Sequence, residues 1–394
     1  MHLKPQSVLH GVAGVVVLLA FVAGAQTPST PAPTTPDTTT PAAPAAAPAA
    51  PTWSAGSIDF SGYVDGYFSY NANRPGQNST FGQVNQLYNF DDETNQFSLE
   101  AAKLTLNHDP DPIGAHVDLL FGRTNAFLHG ADSPTANYIE QAYLSIKPPK
   151  AKGFEMDLGQ FVTSAGQEVI ETMNDWSYSH GLLFAWAIPY YHFGLRTSMP
   201  VNKVWTAGFQ VVNGWNNVTD NNGGVTIGLT SSVVKPKFTW NTNYYTGPEN
   251  ANTQKGYRNL IDTTLLLTPT PKFNAYVNYD YGQNHAPTAT PQASHSPHWQ
   301  GVAVSGRGQV TPNAALVARY EHFYDNQGFA TGTAQKLNEF TATYEYKYAA
   351  GLLLRTEYRR DWSNVNYYDK GDNELVKAQS TLTLGMIAFF GPKR

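Results

Sequence analysis

Apolar and polar residues alternate one for one in segment after segment of this chain, from about Ser57 to Phe390. A period of two puts one parity on each face of a β-strand. In GVTIGLTSSVV, Val225, Ile227 and Leu229 share one face, while Thr226, Gly228 and Thr230 share the other. In KFNAYVNYDYG, Phe273, Ala275, Val277, Tyr279 and Tyr281 alternate with Asn274, Tyr276, Asn278, Asp280 and Gly282. EFTATYEYKYA and the last segment, AQSTLTLGMIAFF, repeat the pattern, the latter with Leu382, Leu384, Met386, Ala388 and Phe390 on one side. Sixteen such segments of ten to fourteen residues can be counted. Strands of soluble proteins typically run about 5–6 residues, whereas a tilted strand needs about 9–11 to cross a bilayer.

The connections sort into two kinds. After each odd-numbered segment comes a long polar loop, the eight running roughly 71–93, 126–135, 163–188, 215–223, 247–258, 284–297, 326–334 and 363–375. After each even-numbered segment comes a short turn, as at Pro110–Ile113, Pro148–Lys152, Pro200–Asn202, Lys235–Pro236 and Ala349–Ala350. Proline cannot donate to a ladder and belongs at turns or edges. Long loops on one rim and tight turns on the other predict an all-β fold: a transmembrane antiparallel up-and-down barrel of about sixteen strands. Two segments break parity. In TNQFSLEAAKLTLNHD, Phe97 and Leu99 fall opposite to Leu104 and Leu106, which a β-bulge near Glu100–Ala102 would reconcile. NYIEQAYLSIK poses the same question around Glu140.

The N-terminus has a positive start at Lys4, an apolar run from Val8 to Val22 and an A-x-A pattern at Ala23-Gly24-Ala25. This is the form of a secretory signal peptide over residues 1–25. Residues 26–52 are nearly pure Pro, Ala, Thr and Ser. They offer too little apolar surface to offset ordering entropy, so a disordered periplasmic tether is expected before the barrel of residues 53–394. An even strand number returns both barrel ends to the periplasmic side, where the tether would lie.

Composition narrows the function classes. Charged residues make up 14% of the chain, and mean hydropathy is nevertheless negative, at -0.37. That pairing suits a barrel with one wet and one lipid-facing side per strand. A net charge of -5 gives no reason to expect a nucleic-acid partner, and the absence of cysteine removes disulfide and thiolate chemistry. No phosphate-binding, dinucleotide or nucleophile-elbow motif is present. His285, His295 and His298 share the sixth loop, but it is rich in Pro, Thr and Ser and no acid adjoins them. No metal, other cofactor or enzymatic activity is therefore expected.

The segments FSGYVDGYFSYN, AKLTLNHDPDPIGAHVDLLFGRTN and IEQAYLSIKPP, the GQF…GQE…N stretch from Gly159 to Asn174, and PYYHFG at Pro189–Gly194 resemble the OmpL-like β-barrel porin family. The resemblance covers essentially everything after the tether. It implies an outer-membrane pore for passive diffusion of small hydrophilic solutes or ions, seated among outer-membrane lipid and lipopolysaccharide and inserted by the barrel-assembly machinery. A homo-oligomer is compatible with it. One departure is that Phe389-Phe390, the terminal aromatic pair, is followed by Gly391-Pro392-Lys393-Arg394. A structural or adhesive barrel with a plugged lumen, and a membrane-embedded enzyme, are the alternatives.

Selectivity in such a pore comes from charges on the lumen wall and at a constriction. Parity points Arg196, Arg307, Arg319, Lys347, Arg355 and Arg359 inward, and all but Arg196 come from consecutive segments twelve to fifteen, which predicts a basic wall. Asp59, Asp65, Asp118, Glu155 and Asp157 are the inward acids expected on segments one, three and five. The third loop, 163–188, carries Glu168, Glu171 and Asp175 followed by Trp176, Tyr178, Phe184 and Trp186. So much apolar surface favours folding inward, with the three carboxylates opposing the basic wall.

Overall fold

The computed structural model describes residues 57–129, 137–285, 296–372 and 374–391. The signal peptide and tether, the end of the second loop and His295 lie outside the described residues. The strands in chain order are β1 (Asp59–Asn71), β2 (Gln96–His108), β3 (Ile113–Phe121), β4 (Ile139–Ile146), β5 (Glu155–Val162) and β6 (Tyr191–Pro200). There follow β7 (Trp205–Val212), β8 (Thr226–Lys235), β9 (Phe238–Gly247), β10 (Arg258–Thr270), β11 (Phe273–Asn284) and β12 (His298–Thr311). The last are β13 (Ala314–Asp325), β14 (Gln335–Ala349), β15 (Leu352–Ser363), β16 (Tyr368–Lys370), β17 (Glu374–Val376) and β18 (Ala378–Phe390). β16 and β17 form a separate small hairpin within the eighth long loop.

The other sixteen strands close into one antiparallel up-and-down barrel, each bonded to its neighbours in sequence and β18 bonded back to β1. Closure runs from Gly62↔Phe390 to Asn71↔Thr381. A closed ladder leaves no unpaired edge, which is what a lipid environment demands of a sheet. None of the described helices is long and apolar enough to cross a membrane, so strands make the crossing.

The parity reading holds along the strands. Phe97, Leu229, Val277, Leu384 and Met386 lie on the outer surface, each at least 39% exposed. Residues of the opposite parity, such as Asn278, Thr343 and Thr383, are buried inside. Both parity breaks are bulges. The β1–β2 register passes from Asp65↔Ala101 to Gly66↔Leu99, leaving Glu100 as the extra residue. The β3–β4 register passes from Asp118↔Gln141 to Leu119↔Ile139, leaving Glu140. Each bulge keeps the flanking apolar residues facing outward and leaves a carboxylate buried, Glu100 at 1% exposure and Glu140 at 0%.

Candidate functional site: the third loop inside the barrel

The segment between β5 and β6 enters the lumen and is held there by backbone and side-chain bonds to both sides of the wall. It contains a 3₁₀ turn (Thr172–Asn174) and a short helix, Leu182–Trp186. Near its start, Gly166 N–H donates to Asp262 Oδ1 at 3.0 Å and Gln167 N–H to Asn278 Oδ1 at 3.1 Å. The amide of Asn243 donates to Ser164 O at 2.9 Å. Further along, Glu357 accepts from Tyr178 N–H at 2.6 Å and Ser179 N–H at 3.0 Å, and Glu321 from Leu183 N–H at 2.9 Å. Trp299 donates from its indole to Ala187 O at 2.9 Å. The Tyr178 hydroxyl crosses to Asp65 at 2.8 Å. Its ring fits because Gly385 on β18 has no side chain: a Cβ there would stand 2.2 Å from the ring. Of the loop's aromatics, Tyr178 and Phe184 are buried, Phe184 against Phe90, His180 and Tyr190, whereas Trp176 and Trp186 are only partly buried.

The arginines of β13 and β15 are inward, and the loop covers them. Arg319 donates to Glu339 Oε1 at 2.9 Å, to Glu168 Oε1 at 2.5 Å and to Ser179 O at 2.7 Å. Arg355 bonds Glu345 at 2.9 Å, then reaches the loop carbonyls of Thr172 at 2.5 Å and Ser177 at 2.8 Å, and that of Asp175. Arg359 bonds Asp361 at 2.8 Å and His180 O at 2.6 Å, and its guanidinium sits 4.1 Å from the Tyr88 ring centre. All three are at most 3% exposed. A guanidinium fits this task because its planar fork can serve a carboxylate and carbonyl oxygens together.

Three expectations need correction. First, the wall is not basic. Glu321, Glu339, Glu345, Glu357 and Asp361 share the inward parity of the same three strands and are all buried. They were left out of the predicted wall although RYE at 319–321 and RTEYRRD at 355–361 display Glu321, Glu357 and Asp361 at the same alternate positions as the arginines, and EFTATYEYKYA puts Glu345 on the same polar face as Lys347. Second, the loop carboxylates do not jointly oppose that wall. Glu168 meets Arg319, but Asp175 lies 3.2 Å from His180 of its own loop, and Glu171 pairs with Lys103 on β2. Third, Lys347 is exposed near the short-turn end of β14 and forms no ion pair among the described residues.

Lys103 centres a second cluster that sequence reasoning also missed. Its ammonium lies 2.8 Å from Asp118 and 2.5 Å from the bulge residue Glu140, and bonds Glu171. The three carboxylates lie within 4.8 Å of one another, close enough to share a divalent cation, but the ammonium occupies the space between them. Arg196 stands elsewhere on the wall, 2.7 Å from Asp157 and against the rings of Tyr143 and Phe161, and retains 27% side-chain exposure. Arg307 bonds the other oxygen of Glu345 at 2.7 Å and retains 16%. In the first long loop, Asp91 is buried, and that burial, reinforced by the charges of Glu100 and Glu357, holds its carboxyl well above the usual range. Of the loop histidines, His298 stacks on Tyr281 and His285 bonds Ser296, so the described pair does not converge on one point.

A closed sixteen-stranded barrel with a long inward loop is a porin architecture, and the sequence agrees. The family profile "Putative beta-barrel porin-2, OmpL-like" matches residues 57–390. The chain belongs to this family. Its barrel is also similar to solved outer-membrane proteins. OmpT of Vibrio cholerae, as a loop L8 deletion mutant, superposes with a TM-score of 0.56 at 14% identity, covering 86% of this chain and 100% of that one. The outer membrane channel DcaP of Acinetobacter baumannii gives 0.57 at 13%, covering 84% and 97%. An anion-selective porin from Comamonas acidovorans gives 0.56 at 11%, covering 85% and 99%. At such identities the likeness is one of fold. No curated protein matches the chain by sequence.

Proposed function

We propose that this porin-family barrel is a narrow outer-membrane channel for passive diffusion of small hydrophilic solutes or ions, with its constriction beside the third loop. The carrying observation is that loop: it is bonded to opposite sides of a closed wall that would otherwise enclose a water-filled lumen. In this reading Arg319, Arg355, Arg359, Glu168 and Asp175 hold the loop in place. Arg196, Arg307 and Glu171 retain solvent access and are the groups a passing ion meets. Lys347 lies at the periplasmic mouth. The N-terminal signal directs the chain to the envelope, and lipopolysaccharide surrounds the outer rim. A homo-oligomer fits the reading, since one structure of the similar OmpT is of a trimer form.

A planar-bilayer recording in a salt gradient tests this. Stepwise conductance is expected, with Arg196→Ala moving the reversal potential toward cation preference and Glu171→Gln toward anion preference, because each removes one fixed charge at the passage. The shifts should survive at 0.1 M salt, where charges more than about 10 Å from the ion path are screened. A second reading, a plugged structural barrel, is favoured by the complete cover over Arg319 and Arg359. Absence of any conductance from well-folded protein would select it.

A further inference from the structure

The lumen wall is charged on most of its circuit and neutral on one panel. Arg196 on β6 and Arg307 on β12 bound that panel, standing opposite Gln210 of β7 and Asn274 of β11. The third loop is bonded to the panel at Asn243, Asp262 and Asn278. Between that level and the short turns, the inward positions of β7–β11 carry no charged residue. They present instead Thr206, Thr230, Ser232, Thr239, Asn241 and Asn274. All six are partly exposed although they face the inside of a closed barrel. Solvent-filled space therefore adjoins them, on a side of the lumen that the loop leaves open.

The polar groups of this panel are not used up by one another. Asn241 donates its amide to Thr264 Oγ1 at 3.3 Å, and the side chains of the other five make no hydrogen bond among the described residues. The wall of β13–β15 differs, since its arginines are engaged by carboxylates and loop carbonyls. Set into the panel is a small apolar step. Tyr276 of β11, Leu266 of β10 and Thr239 of β9 stand side by side in the ladder. Trp176 of the third loop lies against Tyr276, with ring centres 5.1 Å apart. Tyr276 is buried, whereas Trp176 and Leu266 stay partly exposed. An indole and a leucine side chain thus adjoin free hydroxyls and amides on an uncharged stretch of wall.

We propose that this panel is a binding subsite for a neutral polyhydroxylated solute, a sugar. Trp176 and Leu266 take its C–H face, and Ser232, Thr239, Asn241 and Asn274 bond its hydroxyls. The proposal rests on the channel reading above and names a solute class for it. The juxtaposition decides the class. A charged solute finds no counter-charge between Arg196 and Arg307. A wholly apolar solute would cut the hydroxyls and amides off from water without replacing their bonds. A sugar meets both demands. Its hydroxyls donate and accept, as those of Ser and Thr do, and its ring carries an apolar C–H face that packs on an aromatic side chain while a few polar groups fix its orientation.

The test is ion current through the full folded chain in planar bilayers, titrated with maltose and with a polyethylene glycol of equal hydrodynamic radius. In wild type, maltose should block the current saturably, while the polymer lowers it only in proportion to its concentration. Glucose should compete with maltose at least about fivefold better than glucuronate or glucosamine, whose charges have no partner on the panel. Trp176→Ala should raise the half-saturating maltose concentration about fivefold, as expected for loss of one aromatic packing contact. Trp176→Phe should keep most of the block, and Asn241→Leu with Asn274→Leu should weaken it. Heat-modifiable migration on gels reports whether each variant is folded, and the wild-type titrations need no variant. A maltose effect no different from that of the polymer overturns the proposal. So does an unchanged half-saturation in folded Trp176→Ala, or equal competition by the charged sugars. Conductance without saturable maltose block leaves the channel reading standing and removes this one, whereas absence of conductance from folded protein removes both.

Discussion

Two walls hold the third loop, and they do so by different electrostatics. On β13–β15 the strands carry both signs: three arginines and five carboxylates occupy inward positions, and each arginine has a carboxylate partner on the wall itself. The loop adds one carboxylate, Glu168, and otherwise offers backbone groups, whose carbonyls take the spare guanidinium protons while its N–H groups take the spare carboxylate lone pairs. On β2–β4 a single cation, Lys103, faces Asp118 and Glu140 of the wall and Glu171 of the loop. The first wall is a mixed-sign network with carboxylates in excess, and it docks a backbone. The second is an acid-rich pocket whose only described cation is one ammonium. The lesson is that a loop can be fixed within a lumen without leaving a one-signed field, provided that the wall supplies its own counter-charges.

The comparison makes its largest claim at Arg319. Arg319→Met removes the arginine partner of Glu168 and one of the two of Glu339, leaving both carboxylates buried, so a loss of about 3–5 kcal/mol is expected. Urea unfolding in detergent, followed by heat-modifiable migration, measures it. A loss below about 1 kcal/mol would show that the network is not what holds the loop.

Lys103→Met should cost less, about 2–3 kcal/mol, because Glu171 is partly exposed and can turn to water. It should also differ in kind. Three carboxylates within 4.8 Å and no ammonium between them should gain affinity for divalent cations, and calcium should restore stability. Calcium rescue of Arg319→Met as well would erase the distinction between the walls.

A third substitution pair carries the comparison from the two walls to the two faces of one strand. Leu229→Arg on the outer face of β8 should impair assembly by about 2–4 kcal/mol at the bilayer midplane. Its neighbour Thr230→Arg, turned to the lumen, should be tolerated. Equal damage at both would mean that the lumen along β8 is as closed to charge as lipid is. The smallest effect is expected at Lys347, where exposure and lack of an ion partner predict a change within about 0.5 kcal/mol for Lys347→Ala.

The sequence by itself determined the barrel. Period-two alternation says which residue faces lipid, and loop-length alternation says which rim is which; both are local properties that survive without knowledge of the neighbours. Even the bulges at Glu100 and Glu140 were legible, because an extra residue shifts the parity of everything beyond it. The inward acids Glu321, Glu339, Glu345, Glu357 and Asp361 were equally readable by parity, since each stands an even number of residues from an inward arginine or lysine of its own strand. Only the tertiary structure decided the pairings. That Glu171 would meet Lys103, that Arg355 would grip three loop carbonyls, and that Glu168 alone would reach Arg319 depend on how a 28-residue excursion between β5 and β6 crosses the lumen. No periodicity encodes that path. It is fixed by where room exists, as at Gly385, and by which buried donors and acceptors on the wall would otherwise stay unsatisfied.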